Sequence, residues 1–201
     1  MTRIIALLLC LIASPAWAVI TYDATTTGTD NGVSTLTVNH TVVGGCTAPI
    51  IVVSVAWQLA TLGTLDTLTI DGSGGTLIDS QTDGDPYLKM EMWLRVGVSS
   101  GVNAVVATFN DAKNSVTMRV SSYCGVDQAT PTGTAVKATA ASQPVTVDAS
   151  SAAGELVVDA VSIAGSVTQA LTAGAGQTER AYFAQDITNH LHAGSEEAGA
   201  G

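Results

Sequence analysis

Apolar and polar residues alternate with a period of two along most of this 201-residue chain, as they do in half-buried β-strands. In residues 35–42 the even-numbered positions, three aliphatic residues and His40, fall on one face, and the odd-numbered threonines and Asn39 fall on the other. Residues 50–57 are instead almost continuously apolar, which predicts a central strand covered on both faces. Strands are predicted at residues 35–42, 50–57, 65–70, 77–80, 87–96, 104–109, 116–123, 145–147, 156–163 and 181–192.

Helical periodicity is nearly absent, and turn residues recur about every 8 to 12 positions. A strand with one apolar face needs a second sheet to cover that face. The predicted fold is therefore all-β: a two-sheet antiparallel β-sandwich, jelly-roll-like, that forms a single domain over residues 33–201. The threonine-rich residues 19–32 before it are predicted to be a flexible lead-in.

The first eighteen residues have the features of a secretory signal peptide. Arg3 is followed by an apolar run over residues 4–13 and by Ala16-Trp17-Ala18, which fits a cleavage site near Ala18. The run is too short for a membrane span of about 20 residues. Lipidation at Cys10 is disfavoured, because Leu9 stands where a small residue is needed. We expect a secreted or periplasmic protein without a membrane span.

The chain is acidic. Its formal net charge is −10, and loss of Arg3 with the signal peptide makes it −11. The few basic residues are scattered along the sequence rather than clustered, so nothing offsets the repulsion between this surface and a phosphate backbone. Nucleic acid is therefore excluded as an expected partner.

Two cysteines remain after the expected cleavage, Cys46 and Cys124. An oxidising compartment permits a disulfide between them, and the alternative is two buried free thiols. A nucleophilic cysteine is disfavoured, because neither has a neighbouring His or Lys in sequence to stabilise a thiolate.

His190 and His192 are candidate metal ligands. They lie two apart in a predicted strand, so both imidazoles would fall on one face and could chelate zinc or copper. The alternative is a pair of solvated or hydrogen-bonded histidines. His40 lies on the apolar face of its strand, which favours a core histidine with satisfied ring nitrogens.

A second candidate metal site is acidic. Asp79, Asp83 and Asp85 converge on one predicted turn, and closely spaced carboxylates suit calcium, although the spacing matches no EF-hand loop. The alternative is an ordinary acidic turn. If calcium binds, the melting temperature rises with added calcium.

Residues 87–96 form the candidate ligand-binding strand. Alternation places residues 88, 90, 92 and 94 inward and leaves Lys89, Glu91, Trp93 and Arg95 outward. An outward Trp flanked by charged groups can stack on a sugar ring. The alternative is a covered Trp93, with Glu91 paired to Lys89 or Arg95.

Several turns and strand starts together resemble a known group of proteins. They are Asn39-His40-Thr41-Val42, Gly125-Val126-Asp127-Gln128 with Thr130-Pro131, Ala153-Gly154-Glu155-Leu156-Val157-Val158, Ala173-Gly174-Ala175-Gly176-Gln177-Thr178 and Ala193-Gly194-Ser195-Glu196. The group is a loose set of secreted bacterial β-sandwich proteins described as jelly-roll or lectin-like. The resemblance implies architecture and export, and it carries over no catalytic residue.

Proteins of that group continue into one or two further strands after the segment that resembles residues 193–201. The sandwich is therefore expected to lack a final C-terminal strand. The alternatives are a shortened sequence and a functional open groove that a strand of a partner chain fills.

No catalytic motif stands out, because the chain contains no His-Glu-x-x-His or dinucleotide-binding fingerprint. The sequence predicts a secreted non-catalytic binding or surface-interaction module with carbohydrate as the ligand class. One alternative is an extracellular polysaccharide-active or metal-dependent hydrolase, which needs only two suitably placed carboxylates. Another is a structural subunit that assembles by strand complementation.

Overall fold

The computed structural model describes residues 19–58, 63–82, 88–139, 147–164, 171–185 and 190–199. The predicted signal peptide, Asp83 and Asp85 lie outside these residues. Within them the chain forms thirteen strands and no helix, and accordingly no helix long and apolar enough to cross a membrane. The strands are β1 (Thr21–Asp30), β2 (Val33–Val42), β3 (Ile50–Gln58), β4 (Leu65–Ile70), β5 (Ser73–Gly74), β6 (Thr76–Thr82), β7 (Leu88–Val96), β8 (Gly101–Lys113), β9 (Ser115–Cys124), β10 (Leu156–Val158), β11 (Val161–Ala164), β12 (Thr178–Gln185) and β13 (His190–Ala198).

Two antiparallel sheets pack against each other, which confirms the predicted sandwich. Sheet A has the order β1-β9-β3-β7-β6, and sheet B has the order β2-β8-β4-β5. β3 pairs with β7 and β9 and is buried on both faces, as predicted. On β2 the predicted inward residues, including His40, are buried, and the residues between them are exposed. The main core between the sheets is built from aliphatic side chains with Trp57, Phe109 and Met118.

A third sheet, sheet C, lies on the face of sheet A that points away from sheet B. Its strand β13 pairs with β12 along one edge and with β10 and then β11 along the other. Ser54 of β3 and Thr117 of β9 hydrogen-bond to His192 of β13, and Leu156 and Val158 of β10 pack against a second apolar cluster on sheet A. Both faces of sheet A are therefore covered.

Several predicted boundaries need correction. Residues 21–30 of the expected flexible lead-in are instead β1, which pairs with β9 along its length, because threonines suit a pleated ladder. The predicted strand 181–192 is two antiparallel strands, β12 and β13. The predicted strand 156–163 is interrupted at Asp159, whose carboxylate binds β13. Of the predicted strand 145–147, only Val147 is described, and it is not in a strand.

The sequence-distant cysteines meet at one corner of the sandwich. Cys46, in the β2–β3 connection, and Cys124, at the end of β9, form a disulfide with a Cα–Cα distance of 5.2 Å. This pairing confirms the disulfide that the sequence left open and ties β2 and β3 to the last strand of the sandwich.

Candidate functional site

The candidate sugar-stacking residues on β7 face the core between sheets A and B. Trp93 is half-buried against that core, and its Nε1 donates to Glu91 Oε2 at 3.0 Å. Lys89 Nζ lies 2.9 Å from Glu91 Oε1 and 5.3 Å from the ring centroid of Trp57. The outward assignment of this face was therefore wrong. The alternative, Glu91 paired with Lys89, is confirmed.

The misassignment on β7 has a physical cause. Lys89, Glu91 and Trp93 satisfy one another, so a polar strip can lie inside the sandwich without an uncompensated charge. Residues Met92 and Leu94 on the opposite side of β7 pack toward sheet C instead of the main core. Arg95 is half-buried on the same strand, and among the described residues it forms no ion pair with Glu91.

The two histidines proposed as metal ligands are buried and hydrogen-bonded on both ring nitrogens. His190 contacts the hydroxyls of Ser115 at 3.2 Å and Ser162 at 2.6 Å. His192 contacts Ser54 and Thr117, each at 3.0 Å. Burial lowers the pKa of His190 to about 4. Burial, with His190 and Arg119 nearby, holds the pKa of His192 well below its usual value.

These contacts occupy both ring nitrogens of each histidine, and a metal ion would need the lone pair of one of them. Among the described residues, neither histidine belongs to a group of three ligating side chains close enough to hold a metal ion. His40 is likewise buried, with its ring nitrogens 3.0 Å from Thr26 Oγ1 and 2.9 Å from Ser122 Oγ. The prediction of a satisfied core histidine at residue 40 is confirmed.

Asp79, the described member of the proposed calcium turn, has a cationic partner. Lys137 Nζ lies 2.8 Å from Asp79 Oδ1, and the hydrogen bond from Lys137 lowers the pKa of Asp79. Asp83 and Asp85 lie outside the described residues, so the calcium site stays a prediction.

A polar interlayer, formed around Arg119, His190, His192 and Gly194, separates sheets A and C. Arg119 is fully buried, its guanidinium packs directly on Gly194, and its Nη2 donates to the main-chain oxygen of Asp159 at 2.8 Å. The carboxylate of Asp159 points to the other side of sheet C. Asp159 therefore joins the buried interlayer to the outer surface.

The outer face of sheet C carries Val157, Tyr182, Ser195 and Glu197. Of these, Tyr182 and Glu197 are exposed, whereas Ser195 is buried. Phe183 packs on His192 with ring centroids 5.0 Å apart, so Phe183 points inward and its neighbour Tyr182 points outward. Tyr182 is 41% exposed and is the single exposed aromatic residue among those described. This face can therefore present a ring to a ligand.

A cleft of about 270 Å³ lies between residues 147–151 and the outer face of sheet C. Its polar lining consists of Asp148, Ser151, Asp159, Gln177 and Glu197. A second depression of about 460 Å³ adjoins it, shares Asp148 and Ser151, and continues to Glu155. The two together form a groove, which we call the sheet C groove.

Hydrogen bonds fix part of the groove lining. Asp159 accepts from Ser195 N at 2.7 Å, from Ser195 Oγ at 2.6 Å and from Gln177 Nε2 at 3.0 Å. Gln177 Oε1 accepts from Gly174 N at 2.7 Å, so the amide plane of Gln177 is held at both ends. The turn at Gly176, with φ +88°, packs close to the carboxylate of Glu197. The groove therefore offers preorganised amide and carboxylate groups.

The sequence contains no local signal for this groove. Its lining comes from the segment 147–155, from β10, from the turn before β12 and from the end of β13, which meet only once sheet C has formed. Comparison with protein-family models finds no match, and comparisons with curated proteins and with solved structures find no significant similarity.

Proposed function

We propose that the protein is a non-catalytic binding module that takes a neutral polysaccharide along the sheet C groove. The observation that carries the proposal is the lining of that groove: carboxylate, amide and hydroxyl groups, with an exposed tyrosine on the same face of sheet C. Sugar hydroxyls pair with such planar polar groups, and sugar rings stack on aromatic faces. The proposed ligand contacts therefore lie on sheet C and do not involve Trp93.

The charge and the shape of the groove restrict the chemical class of the ligand. The acidic lining and the net charge of −10 oppose anionic polymers, so an uncharged chain is favoured. The two depressions adjoin each other and share Asp148 and Ser151, so a polymer that extends across both contacts more of the lining than a single compact molecule in one of them.

The same geometry supports binding without catalysis. The ring nitrogens of all three histidines contact hydroxyls, and the Glu91 carboxylate is held by Lys89 and Trp93. In the groove, Asp159 accepts three hydrogen bonds and serves to hold Gln177 and Ser195. These side chains therefore support the fold.

Affinity electrophoresis through gels that contain xylan, mixed-linkage β-glucan or galactomannan tests the proposal. We expect retardation in at least one of these gels. Gln177→Ala and Tyr182→Ala should each raise the dissociation constant obtained from the retardation about tenfold. That is the effect of losing one hydrogen bond or one stacking contact. Asp71→Asn is the matched control, because residue 71 lies in the β4–β5 turn on sheet B and Asn tolerates its φ of 48°.

Two outcomes would contradict the proposal. One is migration in every gel equal to that in the polysaccharide-free gel. The other is release of reducing sugar from these polymers, which would make the protein a hydrolase instead.

We also propose that the chain is exported and cleaved near Ala18. The Cys46–Cys124 disulfide supports an oxidising compartment. Intact-mass measurement of the protein from the periplasm or medium of an expressing bacterium should give a chain that begins at Val19. An uncleaved chain retained in the cytoplasm would contradict export.

A further inference from the structure

Asp23, Cys46 and Cys124 form a cluster of potential ligands that is separate from the sheet C groove. One carboxylate oxygen and the two sulfur atoms all lie within 4.8 Å of one another, and all three residues are half-buried. They come from β1, from the β2–β3 connection and from the end of β9. In the disulfide form the sulfur atoms are bonded to each other and cannot act as thiolate ligands.

The Asp23 carboxylate is oriented by a chain of hydrogen bonds. Its Oδ2 accepts from Ser122 Oγ at 2.6 Å and from Val43 N at 3.1 Å, while Oδ1 has no hydrogen bond from the described residues. Ser122 Oγ also contacts His40 Nε2 at 2.9 Å, and His40 Nδ1 contacts Thr26. Carboxylates oriented in this way by outer partners are typical of metal ligands.

Main-chain contacts hold the two cysteine segments together independently of the disulfide. Gly125 N donates to Thr47 O at 2.7 Å, and Val126 N donates to Ala48 O at 3.3 Å. Gln128 Nε2 also donates to Ala48 O, at 3.0 Å. The residues next to both cysteines therefore stay in register when the S–S bond opens.

We propose that the reduced protein binds one zinc ion through Cys46, Cys124 and Asp23. A dithiol reductant is oxidised to its own disulfide and supplies two electrons and two protons, which convert the Cys46–Cys124 bond into two thiols. Zinc then displaces one proton from each thiol and binds two thiolates and the free Asp23 oxygen. Water completes the tetrahedral coordination, as in zinc sites with three protein ligands.

Metal titrations of the oxidised and reduced chain test this site. The protein is reduced with dithiothreitol, freed of it by anaerobic desalting, and titrated with cobalt(II) and then with zinc(II). We expect one equivalent of cobalt to give the thiolate charge-transfer and tetrahedral visible bands, and zinc to displace it. The oxidised protein should give neither band.

Variants distinguish the proposed ligand set from adventitious thiol binding. Asp23→Asn should weaken zinc binding tenfold or more, whereas Asp127→Asn, an exposed carboxylate in the loop after β9, should leave it unchanged. Zinc should also raise the melting temperature of the reduced protein, because its three ligands come from separated strands. The proposal would be overturned if Asp23→Asn bound zinc as tightly as the parent protein. It would also be overturned if the reduced parent bound no more zinc than Cys46→Ser/Cys124→Ser. A reduced chain whose fold zinc neither stabilises nor restores would likewise overturn it.

Discussion

At the scale of single residues, Gly194 in the interlayer is a tightly packed glycine. A Cβ atom there would overlap the Arg119 guanidinium, which is fully buried and bonded to the Asp159 main chain. Arg119 is 0% exposed between sheets A and C, so its guanidinium has no open space beside it into which it could move.

Gly194→Ala should therefore lower the free energy of unfolding by about 1–3 kcal/mol, the usual cost of overpacking. Gly133→Ala is the control, because nothing lies within 4 Å of a Cβ at that position, and it should change stability by less than about 0.5 kcal/mol. Urea unfolding measures both values. Equal stability of the two variants would mean that Arg119 does not pack on Gly194.

The sequence reveals some residue roles and conceals others. The alternation in β2 identified His40 as a core histidine, since one apolar face specifies its environment. Trp93 was misplaced because the same alternation cannot tell a solvent-facing polar strip from one whose members pair internally. What distinguishes the buried strip is the contact, seen only in three dimensions, between an ammonium, a carboxylate and an indole at successive positions of one face.

At the scale of elements, β9 explains why sheet C was not predicted. Its residues Val116, Met118 and Val120 face the main core, while Ser115, Thr117 and Arg119 on the other side have the pattern of a solvent face. That polar side is buried because β13 brings His190, His192 and Gly194 against it. Hydrogen bonds between hydroxyls and imidazoles replace the hydrogen bonds that these groups would make to water. The pattern of apolar and polar residues is the same in both cases, so it does not predict this burial.

The burial of His190 and His192 between sheets A and C makes the stability of the folded chain pH-dependent. The pKa of His190 is about 4 in the folded chain, against an ordinary value of 6.5, so the unfolded chain binds more protons between these values. Stability is therefore fully present above about pH 6.5 and falls as the pH drops toward 4. His190 alone accounts for a loss of about 3 kcal/mol, and His192 acts in the same direction.

Urea unfolding at a series of pH values from 7 to 4.5 measures this loss. In His190→Gln/His192→Gln, whose amides cannot take up a proton, the decline should be much shallower. His40→Gln is the comparison on sheet B, because the pKa of His40 is also lowered by burial but Asp23 partly opposes the shift. An equally steep decline in the double variant would assign the pH dependence to other groups.

At the scale of the whole molecule, the disulfide joins residues 78 apart in sequence. In the chain-entropy account, a loop of that length stabilises the folded chain by about 4 kcal/mol. Cys46→Ala/Cys124→Ala should lower the free energy of unfolding by about that amount while the circular dichroism spectrum keeps its β-sheet form. A loss below about 1 kcal/mol would contradict this estimate of the disulfide's contribution.

More of the overall architecture than of the candidate site could be predicted from the sequence. Period-two alternation and one continuous apolar segment were enough to predict the sandwich and its central strand β3. The sheet C groove could not be predicted, because Asp148, Gln177 and Glu197 lie in separate segments and are joined by the packing of sheet C alone. Assembly through a strand of a partner chain stays a prediction.

The central claim is that the outer face of sheet C is the ligand-binding surface, and amide chemical-shift mapping of isotope-labelled protein tests it most directly. Xylohexaose, cellohexaose and mannohexaose are titrated separately into the protein. The account predicts that a binding oligosaccharide shifts amides at residues 147–159, around Gln177 and in β12 and β13, and leaves sheet B unchanged. Shifts centred on sheet B, or no shift with any of the three sugars, would contradict it.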